Sequence, residues 1–148
     1  MHTLIKFTLL AVGALFIGVM ALLFLTVSSS SQIESMSHVS QVDWLPASAS
    51  DITYRRRKGF GWFLTYECNL PESDFRSLAQ KEGWPIQEGT NVPVRTVLER
   101  PDPTNLFDES AHFIDRALLF ERRQPNGGGT TVVYDLKSGR LFVNRSHR

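Results

Sequence analysis

The chain has 148 residues but only one cysteine, Cys68, so no intramolecular disulfide framework can form. Its stability must therefore come from the packing of its core. Cys68 lies in a segment with the pattern of a strand, and no histidine is close to it in sequence to stabilise a thiolate. The pattern favours a buried, unreactive thiol over a catalytic one.

The chain also lacks a strong excess of charge of either sign. It has 16 Lys and Arg residues and 15 Asp and Glu residues, which give a net charge of +1. A balance of this kind indicates no polyanionic partner by itself. Any recognition of anions would have to come from a local cluster of charge.

Motifs for catalysis and metal binding are missing as well. The sequence has no Walker loop, nucleophile elbow, HExxH or CxxC pattern. Glu109 and His112 form one Glu-x-x-His pair, whereas a di-iron site needs two such pairs and further carboxylates. We therefore predict a non-enzymatic protein with no catalytic residues, no cofactor and no metal. A secreted enzyme of unknown class, freed by signal cleavage, stays open as an alternative.

What the chain does have is an apolar run near its start. Residues 7–27 carry no charge and contain nothing more polar than Thr8 and Thr26. A helix of that length covers roughly 31 Å at about 1.5 Å per residue, which matches the hydrocarbon core of a bilayer. The run predicts an uncleaved transmembrane signal anchor. A cleaved signal peptide is the alternative, because small Ser residues follow the run.

The charges that flank this run predict its orientation. Lys6 precedes it, whereas Glu34 and Asp43 follow it and the next Lys or Arg is Arg55. Positive residues stay on the cytoplasmic side of a membrane. We therefore expect a single-pass cell-membrane protein with residues 1–6 in the cytoplasm and its C-terminal domain outside it.

Four small residues within the run repeat at helical spacing. Ala11, Ala14, Gly18 and Ala21 would share one face of a transmembrane helix. Such faces let two helices approach closely, so they suggest a homodimer. The alternative is that Ala and Gly are simply common in membrane spans.

A Ser-rich segment separates the apolar run from the rest of the chain. Seven of the sixteen residues in 28–43 are Ser, and such a composition cannot bury enough apolar surface to order itself. We expect residues 28–43 to form a flexible linker and residues 44–148 to form the extracytoplasmic domain.

The pattern of the domain predicts an α+β fold. Pro71 with the acidic residues after it begins a helix, and Gly83 is suited to end it. Alternating apolar residues and turn signals predict strands at 52–57, 62–70, 91–99, 117–123, 130–134 and 140–144, the first two as a hairpin. The expected fold is a transmembrane helix followed by a small antiparallel sheet with one short helix packed on one face.

One run of positive charge is the candidate anion-binding site. Arg55, Arg56, Arg57 and Lys58 are consecutive, and Trp62 follows closely. Adjacent cations with aromatic neighbours suit a phosphate-rich or otherwise anionic surface. Outside the cytoplasm such a surface would be lipid head groups or envelope polysaccharide, and not nucleic acid. The alternative is a solvated hairpin end that protects a strand edge.

The Gly-rich segment at 127–129 has a simpler explanation than phosphate binding. Phosphate-binding loops precede a helix, but residues 130–134 have the pattern of a strand. The segment therefore predicts a hairpin loop. The function expected from the whole sequence is a membrane-anchored interaction domain for a protein or envelope partner, with binding of an anionic membrane or envelope surface as the alternative.

Several short motifs resemble those of small bacterial proteins that carry an N-terminal membrane span. An LPxSAxxIxY motif fills residues 45–54, a Tyr-Glu strand follows at 66–67, and an acidic helix start lies at 71–75. A Gly-Gly-Gly loop at 127–129 and a Tyr-Asp strand at 134–135 match the end of the pattern. The resemblance implies a bacterial, membrane-anchored protein. No activity is known for such proteins, so it assigns no functional residue.

Overall fold

A computed structural model of the protein describes residues 15–20, 33–58, 61–94, 96, 112–125 and 127–147. Residues 15–20 are helical (α1), and the second helix is Glu72–Glu82 (α2). The strands are Ile33–Val39 (β1), Ser50–Arg57 (β2), Phe63–Asn69 (β3), Gln87–Val94 (β4), His112–Arg123 (β5), Gly129–Asp135 (β6) and Arg140–Ser146 (β7).

The seven strands form one antiparallel sheet in the order β1-β2-β3-β7-β6-β5-β4. Within the described ranges, β1 and β4 therefore lie at its two edges. The two halves of the sheet meet where β3 pairs with β7, from Phe63 opposite Ser146 to Asn69 opposite Arg140. The last strand thus occupies the middle of the sheet.

Helix α2 covers one face of this sheet. It begins after Pro71, carries Glu72 and Asp74 in its first turn, where the helix dipole favours acids, and ends at Gly83 in the left-handed conformation (φ 67°, ψ 40°). Phe75 is fully buried and stacks on Tyr134 of β6, with 4.5 Å between the ring centroids. The start and end predicted for this helix are confirmed.

Two apolar clusters of different size lie on the two sides of the sheet. The larger one joins α2 to the strands and includes Ile52, Cys68, Leu141 and Val143. The smaller cluster lies on the opposite face, where Val94 and Ile114 meet Ala117 and Val133, and it is a satellite of the main core. This second face, opposite α2, is therefore only partly covered.

The predicted membrane-spanning helix at 7–27 is contradicted. No helix in the part of the chain that the structure describes is long and apolar enough to cross a membrane. The rest of the run lies outside the described residues, as do Ala11, Ala14 and Ala21 of the predicted dimer face.

The predictions that depended on this helix are corrected with it. Single-pass membrane localisation, a cytoplasmic N-terminus and an extracytoplasmic domain all required a spanning helix, and the described helices supply none. The predicted fold class is wrong in the same respect. The structure is mostly a seven-stranded antiparallel sheet with two helices, one of them short.

The first strand lies where the sequence predicts a flexible linker. Ile33–Val39 pairs with β2 in register from Ile33 opposite Arg57 to Val39 opposite Ile52, with an irregularity after Met36. The Ser-rich composition does not predict this strand, because β1 is ordered by its pairing with β2 rather than by an apolar pattern of its own. By contrast, the predicted hairpin of β2 and β3 and the turn between β5 and β6 are both present.

Candidate anion-binding site

The predicted basic run occupies the end of β2, where the alternation of the strand divides it between two faces. Arg56 lies on the same face as Tyr54, which is buried in the core beneath α2. Arg55 and Arg57 lie on the opposite face, and Lys58 follows the strand as an exposed residue. The run is therefore not a single patch of four charges.

Arg56 is neutralised by an ion pair with the edge strand. Its guanidinium lies 2.7 Å from a carboxylate oxygen of Glu34, the residue directly opposite it on β1. The Tyr54 hydroxyl donates a second hydrogen bond to the same carboxylate. Hydrogen bonds from Tyr54 and then from Arg56 hold the pKa of Glu34 below its usual value. Arg56 therefore attaches β1 to β2 and is not free for a ligand.

Arg55 and Arg57 share an aromatic neighbour instead of a carboxylate. Their guanidinium carbons lie 5.9 and 5.5 Å from the centroid of Phe63 on β3, within the range of a cation–π contact. Arg57 also donates two hydrogen bonds, of 3.0 and 2.7 Å, to the Gly61 carbonyl oxygen. These contacts orient both guanidinium groups and leave their charge uncompensated.

Two other aromatic residues follow the basic run in the sequence. Trp62 is 41% exposed and stacks on His147, with 6.4 Å between the ring centroids. Phe60 lies outside the described residues. The aromatic ring that the structure brings to the guanidinium groups is that of Phe63.

The sheet brings further cations to the same end. Arg57, Phe63, Ser146, Gly129 and Arg123 lie opposite one another in a row across five strands. We call the seven positive residues around this row the basic end: Arg55, Arg56, Arg57, Lys58, Arg122, Arg123 and Arg145. The sequence does not show this grouping, because it depends on the order of the strands.

Three carboxylates compensate part of the basic end. Besides the pair with Glu34, the Arg145 guanidinium lies 3.1 Å from Glu82, and that of Arg123 lies 2.6 Å from Glu121. Within the described ranges, no carboxylate lies within ion-pair distance of the remaining four: Arg55, Arg57, Lys58 and Arg122. A positive potential therefore remains at this end of the molecule.

The turn between β5 and β6 completes the basic end. A Cβ added to Gly128 would lie 2.6 Å from the Ser146 carbonyl oxygen, so only glycine lets the turn approach β7 this closely. A cleft of about 370 Å³ lies here, between the turn residues and Asn144 and Ser146 of β7. Because β6 follows directly, the segment is a hairpin loop as predicted.

A second group of charges lies at the other end of the sheet, on the face opposite α2. The sequence did not predict this group. Arg140 of β7 contacts Asp51 at 2.6 Å, Glu67 at 3.0 Å and the Asn69 side-chain oxygen at 3.0 Å. His38 Nδ1 lies 2.5 Å from the other oxygen of Asp51. We call these five residues the Arg140 cluster. They come from β1, β2, β3 and β7, four neighbouring strands, so no local sequence pattern could have grouped them.

The Arg140 cluster pairs one guanidinium with two carboxylates, of which that of Glu67 is buried. The Glu67 side chain is 5% exposed and that of Arg140 is 21% exposed. Hydrogen bonds from His38 and then from Arg140 lower the pKa of Asp51 below its usual value. His38 and Asp51 both have positive φ angles, 54° and 50°, in which Asp and His are among the better tolerated residues. The cluster holds four strands together, and its guanidinium is compensated by two carboxylates.

The remaining sequence-based candidates for chemistry show no assembled site. Cys68 is fully buried, and desolvation raises its pKa to about 12, so it is a protonated thiol at neutral pH. Among the described residues, no group of three His, Cys, Asp or Glu side chains could hold a metal ion. Glu109 lies outside those residues, and His112 begins β5.

Comparison with known proteins adds no relative from which a function could be transferred. No family model matches the chain, and no curated protein or solved structure matches it significantly. The resemblance to bacterial membrane-anchored proteins stays a prediction, and any functional conclusion has to come from the geometry described above.

Proposed function

We propose that this protein is a binding domain that holds an anionic partner at its basic end. The observation that carries the proposal is the uncompensated charge at one end of the sheet: Arg55 and Arg57 on the face opposite α2, Lys58 after the strand, and Arg122 on the α2 face. A cluster of one sign of charge raises the local concentration of oppositely charged ligands and accelerates their association.

The surroundings of these cations support a binding role over a purely structural one. Arg140 shows how the fold treats an arginine that stabilises it, with two carboxylate partners. Arg55 and Arg57 are half-buried like Arg140 but have no carboxylate partner among the described residues, and the ring of Phe63 and the Gly61 carbonyl oxygen hold them in position. Guanidinium groups held in this way recognise carboxylate, sulfate or phosphate groups with little loss of side-chain entropy.

The proposal narrows the interaction domain expected from the sequence. It keeps the candidate residues Arg55, Arg57 and Lys58, assigns Arg56 to the attachment of β1, and adds Arg122 and Arg123. It includes no membrane span. That the protein has no enzymatic activity stays a prediction.

The test is binding of the full-length chain to immobilised heparin and to soluble polyphosphate at several salt concentrations. The triple variant R55S/R57S/K58S should bind both about tenfold or more weakly, since charged hydrogen bonds contribute about 1.5–3 kcal/mol each. Binding of the parent should also weaken as salt rises.

A matched control separates local charge from net charge. The variant K81S/R116S/K137S removes the same number of positive charges from exposed positions away from the basic end. It should bind within about twofold of the parent. Equal losses in both triple variants, or no binding by the parent, would contradict the proposal.

A further inference from the structure

The part of the sheet face opposite α2 that adjoins the basic end is open, and its side chains form a row across the strands. The register places these residues directly opposite one another on β2, β3, β7, β6 and β5 in turn: Arg55, Thr65, Asn144, Thr131 and Glu121. Because side chains alternate along a strand, all five lie on the face away from α2. Asn144, Thr131 and Glu121 are exposed, and Arg55 and Thr65 are half-buried.

The centre of this row consists of uncharged hydrogen-bonding groups. Thr65, Asn144 and Thr131 together offer two hydroxyl groups and one amide, which can donate as well as accept. In the described part of the chain, none of these three side chains has a hydrogen-bond partner. They are therefore available to a ligand that lies on the face.

Guanidinium groups stand at both ends of the row. Arg55 and Arg57 lie on β2, and Arg123, paired with Glu121, lies on β5. Five strands about 4.8 Å apart separate the two ends by roughly 19 Å. The Glu121 carboxylate compensates Arg123, so the uncompensated charge lies at the β2 end. The face thus suits an extended chain that runs across the strands, with an anionic group at Arg55 and Arg57 and hydrogen-bonding groups beyond it.

The aromatic residues argue against a single-stranded nucleic acid in this position. Binding of that class relies on exposed rings on which successive bases stack. Two guanidinium groups already lie over the Phe63 ring, and Trp62 stacks on His147. The central positions of the row, Thr65, Asn144 and Thr131, carry no ring at all. Hydroxyl and carboxylate groups of a sugar polymer match these side chains better.

We propose that this open face binds a linear acidic polysaccharide, laid across the strands from Arg55 and Arg57 to Arg123. The inference rests on the proposed function, since Arg55 and Arg57 supply the charge in both. It adds that Thr65, Asn144 and Thr131 recognise the sugar hydroxyl groups. The ligand is therefore distinguished from other polyanions by its uncharged groups.

The test uses the double variant T131V/N144A, which removes two central hydrogen-bonding groups from exposed positions without changing charge. The probes are alginate, a uronate polymer; polyphosphate, which has charge but no hydroxyl groups; and a single-stranded thymidine oligonucleotide. We expect the parent to prefer alginate. The variant should bind alginate about tenfold more weakly and polyphosphate within about twofold of the parent.

A control variant, Q87A/T90V, makes the same kinds of change on exposed positions of β4 and should leave alginate binding within about twofold. Unchanged alginate binding by T131V/N144A would overturn the inference, and so would parent binding that favours polyphosphate or the oligonucleotide. In those cases the proposed function stands. If the parent binds none of the three probes, both proposals fail.

Discussion

The two ends of the sheet face opposite α2 use arginine in contrasting ways. At one end Arg140 lies between the carboxylates of Asp51 and Glu67. At the other end an aromatic ring takes the place of a carboxylate beside Arg55 and Arg57, although all three arginines are half-buried. The side chain and its burial are alike, so pairing with carboxylates decides whether an arginine stabilises the fold or remains available for binding.

The comparison explains why the long run of charge is a poor guide to the site. Arg56 belongs to the run but behaves like Arg140, because Glu34 lies directly opposite it. Arg122 and Arg123 are distant in sequence yet lie at the same end of the sheet as Arg55 and Arg57. The candidate site is therefore defined by residues that neighbouring strands bring together, and not by consecutive residues of one strand.

The largest effect should come from removing the Arg140 guanidinium. R140M removes the guanidinium that lies 3.0 Å from the buried carboxylate of Glu67, and loss of one member of a buried pair costs about 3 kcal/mol or more. We therefore expect the free energy of unfolding, measured with urea, to fall by about 3 kcal/mol. The exposed control R116M should change it by less than about 0.5 kcal/mol.

A second substitution checks that the loss comes from the buried Glu67 carboxylate. In R140M/E67Q the buried carboxylate is gone, so part of the lost stability should return. If R140M changed the free energy of unfolding as little as R116M does, the stabilising role assigned to Arg140 would be contradicted.

The next effect is the loss of stability at acid pH that depends on Asp51. The folded state lowers the pKa of Asp51, so it releases this proton more readily than the unfolded state with its ordinary value of 3.8. The stability that Asp51 contributes is therefore present above about pH 4 and is lost as the pH falls through its folded pKa. The stability gap between the parent and D51N should narrow from about pH 6 to pH 3. A gap that is constant across that range would contradict the assignment.

A smaller effect is expected from the exposed cations. R55A/R57A removes two cation–π contacts at partly exposed sites, each worth about 0.5–1 kcal/mol at most. The unfolding free energy should fall by about 1 kcal/mol, well below the effect of R140M, while heparin binding weakens. A stability loss as large as that of R140M would mean that the two ends serve the same purpose.

The smallest effect should come from R56A. Its pair with Glu34 is partly exposed, and such pairs contribute little to stability and are screened by salt. We expect a smaller loss of unfolding free energy than for R55A/R57A, and a loss that shrinks in 1 M salt. Heparin binding by R56A should stay closer to that of the parent than binding by R55A does.

Local features of the fold could be predicted from the sequence. The helix boundaries at Pro71 and Gly83 follow from backbone preferences of single residues, and the β2–β3 hairpin follows from alternation. Strand β1 could not be predicted in this way, because its polar residues are ordered by β2. The membrane span predicted from the apolar run at 7–27 is contradicted, because no helix among the described residues is long and apolar enough to cross a membrane.

The candidate site was predictable only in part. A charge run identifies Arg55 and Arg57, but not which of its members is compensated, because Glu34 lies on a strand that the sequence does not reveal. The residues of the Arg140 cluster are spread from His38 to Arg140. Their proximity depends on β7 inserting beside β3, a long-range pairing that no short motif encodes.

The insertion of β7 between β3 and β6 also has a kinetic consequence. During synthesis β1, β2 and β3 emerge from the ribosome long before the strand that joins them to the rest of the sheet. Until β7 arrives, β3 has an unpaired side that can meet another chain. The high sequence separation of the β3–β7 contacts predicts slow folding for a domain of this size. Refolding yield should therefore fall as protein concentration rises.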